Sequence, residues 1–267
     1  TTEPKFIPKE AVEVLFEDGV HFKCRMIDCV GYMVQGAEGH EEDGRERLVK
    51  TPWFDYDIPF TKAAEIGTKK VIYDHSTVGI VVTCDDTVSE LDRSAYIQPE
   101  TQTIQELKSI GKPFIVILNT RKPSSPETIA LADELQQAYG VAVLPVNCDQ
   151  LRKADVVHIF EALLLDFPVT CVRFRIPKWV EALELKDEIK DRIVKSAAEM
   201  FASMRLMKDA AEYEFVQDEY LESVRMQELN LADGSVEIEM VLKPEYYYTM
   251  LSEIFGETIE NEYDFMK

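Results

Sequence analysis

The sequence predicts an α/β fold with a mainly parallel sheet over residues 1–168, followed by a small α+β domain over residues 169–267. Three observations carry this expectation. Residues 78–84 (VGIVVTC), 114–118 (FIVIL) and 141–146 (VAVLPV) are short, nearly continuous apolar runs, the pattern of strands buried on both faces of a parallel sheet. Stretches with helical spacing alternate with these runs, as right-handed crossovers require. Beyond Phe167 the rhythm changes to strand, long helix, hairpin and helix.

Taken in order, residues 11–16 (AVEVLF) read as a strand, and Glu17-Asp18-Gly19 as a hairpin turn into residues 21–28 (HFKCRMID). There Phe22, Cys24 and Met26 alternate with Lys23 and Arg25, and the run ends in an Asp-x-x-Gly turn from Asp28 to Gly31. Residues 34–59, rich in Gly, Glu and Asp with Trp53, Phe54 and Tyr56 among them, read as one long loop. A helix follows over 60–74 despite Gly67 in its middle. The strand at 78–84 leads to Asp85-Asp86-Thr87. Pro99 opens a helix over 99–110 with Ile104, Leu107 and Ile110 on one face, and Gly111 stops it. The strand at 114–118 ends at Asn119. Residues 126–139 form a helix with Ile129, Ala132, Leu135 and Tyr139 on one face, and residues 154–165 another with Val156, Phe160, Leu163 and Leu164 inward.

In the second domain, residues 169–176 alternate as a strand. One long helix from Trp179 to about Met207 carries Ile189, Ile193, Ala197, Met200, Met204 and Met207 at helical spacing, a core stripe rather than a ligand surface. Residues 223–231 and 235–242 form a hairpin around Ala232-Asp233-Gly234, and Pro244 opens a last helix to Phe255. This order suggests a ferredoxin-like unit lacking its last strand.

Composition excludes several classes. The 267 residues carry 29 Lys plus Arg against 50 Asp plus Glu, a net charge of −21, which repels nucleic acid and anionic membranes, and no basic cluster offsets it. The five cysteines, Cys24, Cys29, Cys84, Cys148 and Cys171, include no C-x-x-C pair and read as reduced core residues of a cytosolic protein. His21, His40, His75 and His158 have no zinc spacing. There is no apolar run near the ~18 residues of a membrane span. The chain opens on Thr-Thr-Glu-Pro, without an initiator methionine, and is expected to be a piece of a longer one.

The chemistry is expected at the carboxyl ends of the strands, where such sheets bind ligands: Asp28 to Gly31, Thr83 to Asp86, Asn119 to Lys122 and Asn147 to Asp149. Asp28 can hold a magnesium ion, usually through water, while Gly31 lets a backbone N–H approach a terminal phosphate. The same residues also end strands simply by making turns. A nucleotide hydrolase needs G-x-x-x-x-G-K-[S/T] ahead of the first hairpin strand, and this chain has none; Gly67-Thr68-Lys69-Lys70 and Gly111-Lys112-Pro113 both fail. Guanine selection needs N-K-x-D, whereas Asn119-Thr120-Arg121-Lys122 puts an ammonium where a carboxylate must accept. If a nucleotide binds at Asn119 and Thr120, adenine is favoured. Asn119 as a plain turn cap before Pro123 stays open. No G-x-G-x-x-G follows a predicted strand, so a dinucleotide-binding dehydrogenase is excluded.

Several stretches together resemble the stage IV sporulation protein A family: Thr1-Thr2-Glu-Pro-Lys-Phe, Ile27-Asp-Cys-Val-Gly-Tyr, Thr51-Pro-Trp-Phe, Ile58-Pro-Phe with Ala63-Ala-Glu-Ile-Gly-Thr-Lys-Lys-Val-Ile, and Gly111-Lys-Pro-Phe-Ile. Looser matches at Phe167-Pro-Val and Pro177-Lys-Trp-Val extend into the second domain. The resemblance implies a P-loop NTPase-like fold related to translation-factor GTPases, here lacking its phosphate loop. It implies a morphogenetic ATPase that uses ATP and Mg2+ to polymerise with itself into the basement layer of the bacterial spore coat. That layer lies on the mother-cell side of the outer forespore surface, where a small amphipathic membrane peptide recruits the protein and other coat proteins join it. The implied site has Thr1, Thr2 and Asp28 as catalytic residues, Asp28 and Thr2 on the metal, and Gly31 at the terminal phosphate, with Asn119 and Thr120 at the nucleotide. Lacking the phosphate-loop lysine and most of the family's C-terminal region, residues 1–267 are expected to hydrolyse ATP poorly or not at all alone. A purely structural assembly protein with a degenerate nucleotide fold, and a translation-factor-type GTPase, are the alternatives, and Lys122 disfavours the second.

Overall fold

The structure, a computed structural model, describes residues 5–15, 21–42, 44–184, 186–215 and 219–266. The chain divides into two compact units, Thr1–Leu163 and Leu164–Lys267.

The first unit opens with β1 (Lys5–Leu15) and β2 (His21–Asp28), an antiparallel ladder running from Lys5 opposite Asp28 to Leu15 opposite His21. β1 begins well before residue 11, because the last three residues of β2 pair with Lys5, Phe6 and Ile7. The register shifts between Ile7 and Val12, the stretch holding Pro8, which has no N–H to give a ladder. Residues 34–59 are not one loop. Their described part folds into two short hairpins, β3 (Glu41–Glu42) with β4 (Arg45–Glu46), and β5 (Leu48–Thr51) with β6 (Phe54–Pro59). The β3–β4 ladder pairs only charged residues and carries no alternation, whereas β6 does alternate, Phe54, Tyr56 and Ile58 with Asp55 and Asp57, a signal the loop reading passed over amid the surrounding Gly, Glu and Asp. Phe54 and Tyr56 pack ring on ring, and Lys70 Nζ lies 5.7 Å over the half-buried Trp53.

Helix α1 (Phe60–Lys70) buries the small residues Ala63, Ala64, Gly67 and Thr68, so Gly67 sits on the packed face rather than breaking the helix. Its continuation, Val71–His75, widens into a π turn. The three predicted apolar runs are β7 (Gly79–Cys84), β8 (Phe114–Asn119) and β9 (Val143–Val146), all parallel in the order β7–β8–β9. Every residue of β8 from Phe114 to Leu118 is buried, as a central strand covered on both faces must be. A Cβ on Gly79 would sit 3.1 Å from Phe114 Cβ and from Leu107, so glycine is what lets β7 approach.

Helix α2 (Ser94–Ser109) carries Pro99 inside it instead of starting at that residue. The five residues ahead of Pro99 join the helix because Asp86 accepts the Arg93 N–H and the Arg93 side chain is tied to Glu100, which fixes the turn upstream. Helix α3 (Pro126–Tyr139) matches its predicted span. Ser125 accepts the Thr128 N–H at 3.2 Å, proline opens the first turn, and Gly140 closes the helix with φ +64°. Helix α4 (Lys153–Leu165) follows β9 after a 3-10 turn at Cys148–Gln150. Ile104, Leu107, Ala132 and Leu135 close one core over Val81, Val116, Leu118 and Val143. Ile129, read on one face with the buried Ala132 and Leu135, is exposed, as is Val156, read as inward, and Ile159 is buried on α4 instead.

The second unit holds β10 (Cys171–Arg175), β11 (Leu221–Asn230) and β12 (Ser235–Leu242) in the order β10–β12–β11. The long predicted helix is three: α5 (Lys178–Ala182), α6 (Glu188–Ser203) and α7 (Met207–Ala211). Asp187 caps α6, accepting the Ile189 N–H at 2.9 Å. A final pair, α8 (Pro244–Phe255) and α9 (Glu262–Phe265), completes the unit. Met200, Met204, Met207 and Met240 are all buried with Val180, Ile193, Val236 and Ile238, so the methionine stripe is core.

The ferredoxin-like expectation is corrected. The spatial order fits, but β10 runs parallel to β12, and β11 is antiparallel to β12. A split βαβ unit would instead have its first two strands parallel. The helix break accounts for this. Leu206 bridges to Pro168 near the start of β10, while Leu221 pairs with Leu242 at the end of β12 toward which β10 also runs. Between Leu206 and Leu221 the chain therefore travels back along the sheet before β11 begins.

Candidate functional site

Several buried polar residues of the first unit lie where the parallel strands end. Thr83, Asp85, Glu100 and Thr120 are all buried. Three successive strand tips are joined there. Asp85 N–H donates to the Asn119 carbonyl at 3.2 Å, and Thr120 N–H to the Val146 carbonyl at 3.0 Å. Asn119 Oδ1 accepts the Cys148 N–H at 3.0 Å, so this one amide braces the tip of β8 against the chain that leaves β9.

A second set of bonds fixes the β7–α2 turn. Asp85 Oδ1 accepts from both the Thr87 N–H, at 2.9 Å, and the Thr87 hydroxyl, at 2.5 Å. The same hydroxyl oxygen accepts the Arg121 N–H at 2.9 Å and lies 3.4 Å from Thr120 Oγ1, which accepts the Lys122 N–H at 3.0 Å. At the far end of the turn, Arg93 donates to Thr83 Oγ1 at 3.0 Å and to Glu100 Oε1 at 2.8 Å, with its other contact to Oε2 at 2.6 Å. Tyr139 on α3 donates to the same Glu100 oxygen at 2.5 Å. Burial, then this carboxylate, hold the Tyr139 hydroxyl above its usual pKa, so it stays a donor. Burial likewise pushes the Cys84 and Cys148 thiols up. All five cysteines are free and half-buried, short of the full burial the sequence suggested.

The sequence-derived residues are not all brought together. Asn119 and Thr120 lie in this braced cluster, Asn119 half-buried and Thr120 fully buried with its hydroxyl committed to the turn. Asp28 and Gly31 lie at the end of β2, on a two-stranded sheet that no ladder among the described residues joins to β7–β8–β9. Asp28 is exposed and Gly31 has φ +83°, the left-handed geometry expected of the turn. This turn is nonetheless tethered: Tyr32, one residue on, donates to Glu106 Oε2 on α2 at 2.5 Å, and Phe22 of β2 packs on Phe160 of α4. Thr1 and Thr2 lie outside the described residues. Asp85, Thr87, Arg93 and Glu100 were not singled out as partners by sequence. The Asp85-Asp86-Thr87 strand end was the available signal, but it gave no partner for it.

Among the described residues no group of three or more His, Cys, Asp or Glu side chains is placed to hold a metal, and no helix is long and apolar enough to cross a membrane. The class these features define is a two-unit chain whose first unit is α/β with a parallel sheet and a polar cluster at its carboxyl end. Residues 1–168 match the ATPase domain of stage IV sporulation protein A, and residues 169–267 match its middle domain. The chain belongs to the stage IV sporulation protein A family. It is 44% identical over 268 residues to stage IV sporulation protein A of Clostridioides difficile (strain 630), covering 100% of this chain and 55% of that protein. To the Bacillus subtilis (strain 168) protein it is 38% identical over 258 residues, covering 96% and 52%, and to the Bacillus anthracis protein 36% over 269, covering 100% and 55%. The chain spans about half the length of these curated relatives. No solved structure matches it.

Proposed function

We propose that residues 1–168 are the nucleotide-hydrolase part of a longer protein, with a P-loop NTPase-like sheet, and that residues 169–267 are its middle domain. In that protein ATP hydrolysis, with Mg2+, drives self-assembly into a static polymer forming the basement layer of the spore coat. The observation that carries the reading is the convergence of Asp85, Thr87, Asn119, Thr120 and Cys148 at the carboxyl ends of three parallel strands, the place where open α/β sheets hold ligands. Membership of a family whose first domain is named an ATPase domain supports it.

The residues present fit the base end of ATP. Asn119 and Thr120 shape the turn that faces it, and Lys122 is exposed there where a guanine site would need a carboxylate. They do not supply the phosphate end, since residues 1–267 contain no loop able to wrap phosphates. A magnesium ion fits a single exposed carboxylate, because Mg2+ commonly takes one or two carboxylates and fills its shell from phosphates and water. Asp28 would hold it together with Thr2, and Gly31 would approach the terminal phosphate. Thr1 and Thr2 complete the proposed catalytic set. The location on the outer forespore surface, recruitment by a small amphipathic membrane peptide and contact with other coat proteins rest on the family resemblance.

The test compares full-length wild-type protein with Asp28→Ala for ATP turnover and sedimentable polymer. Both are expected to fall at least tenfold. Assembly that survives in Asp28→Ala without nucleotide would favour the structural-protein reading, and unchanged turnover would remove Asp28 from the site.

A further inference from the structure

We propose that Thr87 is a positioning residue whose hydroxyl, aimed by the buried Asp85 carboxylate, holds the Asn119–Lys122 turn in the form that accepts the base end of the nucleotide. The inference rests on the ATP reading above.

The geometry of this one hydroxyl carries the argument. A threonine hydroxyl has one proton to give and lone pairs to accept with. Here the proton goes to Asp85 Oδ1 at 2.5 Å, which leaves the oxygen free to accept the Arg121 N–H at 2.9 Å. The donor direction is thereby fixed, and the oxygen can serve only as an acceptor toward the neighbouring turn. Asp85 in turn is buried and spends the same oxygen on the Thr87 N–H, so the carboxylate and the hydroxyl form one closed unit. The turn on the receiving side has its own internal bond, Lys122 N–H to Thr120 Oγ1 at 3.0 Å, and Thr120 Oγ1 sits 3.4 Å from Thr87 Oγ1. Thr120 is fully buried with its hydroxyl on the Lys122 N–H, so that hydroxyl serves the shape of the turn. Without the Thr87 oxygen the Arg121 N–H must find water, and the turn loses the tie that sets its height above the strand tips.

Asn119 braces the same turn from the other side, through Cys148. The two braces differ in kind. Both residues are half-buried, but the Thr87 hydroxyl is spent on the Asp85 carboxylate and the Arg121 N–H, so it acts through its neighbour, whereas the Asn119 side chain reaches a ligand at the rim directly. The ring of contacts therefore separates a residue that shapes the base site from one that lines it.

The experiment uses full-length protein as wild type, Thr87→Val and Thr87→Ser, with calorimetric titration of ATP, ADP and GTP and a melting curve for each. Thr87→Val keeps the branched shape and loses the hydroxyl. It is expected to bind ATP and ADP equally more weakly, by about three- to tenfold, the worth of one buried hydrogen bond. The ATP-to-ADP ratio stays at the wild-type value because the phosphate end is not involved, the preference for ATP over GTP narrows, and Thr87→Ser restores both affinities to within about twofold. A lowered melting temperature with unchanged affinities and unchanged base preference would make Thr87 purely structural and overturn the proposal. So would a loss confined to ATP, which would point to the phosphate end. Wild-type protein that binds no nucleotide would overturn the ATP reading and the strut with it, whereas wild-type binding that Thr87→Val leaves intact overturns the strut alone.

Discussion

The β7–β8–β9 sheet is nearly continuous in apolar residues, the β1–β2 hairpin mixes apolar with charged ones, and the two end in opposite conditions. In β8 five consecutive apolar side chains are buried, and each strand tip carries polar groups bonded to the next. In the hairpin Ile7, Val12, Leu15 and Met26 are all exposed, and Asp28 has no ion pair among the described residues. An isolated two-stranded hairpin is marginal in water. The difference teaches that burial and polar bracing come together: a covered sheet holds its strand ends still enough to serve a ligand, while the hairpin is held by a few contacts such as Tyr32 to Glu106 and Phe22 to Phe160.

That contrast can be broken at its strongest point first. Arg93→Leu leaves the Glu100 carboxylate, 2% exposed, without its cation and is expected to destabilise the first unit by about 3–5 kcal/mol, read as faster hydrogen exchange across residues 79–146 of the full-length protein. Replacing both partners by apolar residues should recover most of that loss. Leu118→Ala, at a fully buried position of the central strand, follows at about 2–4 kcal/mol by the same readout. Tyr32→Phe tests the tether instead. It removes a bond to a part-buried carboxylate, and about 1–2 kcal/mol of local protection should vanish from β2 and its turn while the sheet keeps its own. Met26→Ala, at an exposed hairpin site, should change stability by no more than about 0.5 kcal/mol. If it costs as much as Leu118→Ala, the hairpin is covered in the full-length protein and the contrast belongs to this chain alone.

Much of the sheet was legible because its evidence is local. A run such as FIVIL can only be a buried strand or a buried helix, and its length and β-branching decide between them. The α3 helix was legible to the residue, since Ser125, Pro126 and Gly140 each carry their own capping chemistry. Of the hairpins within residues 34–59, β3–β4 pairs only charged side chains and leaves no periodicity to read, while the Phe54, Tyr56, Ile58 alternation of β6 was a short signal lost among acidic neighbours. The three-helix break after β10 was hidden by a continuous apolar stripe, since Val180 on α5, Ile193 and Met200 on α6 and Met207 on α7 all enter one core. Of the candidate site, Asn119 was readable as the end of a strand, while its bond to Cys148, 29 positions on, was not.

By itself the sequence determined the three strands of the parallel sheet and the helices that alternate with them, though not every boundary, and that the sheet's polar tips fall at the carboxyl ends. Those properties follow from side-chain pattern over a few residues and from the handedness of the chain. Only the tertiary structure decided that Arg93 meets Glu100 and Tyr139, that Thr87 reaches the turn after β8, and that β10 lies parallel to β12. Such partnerships join groups brought together by packing, and a hydrogen bond across tens of positions leaves no trace in the local pattern of either partner.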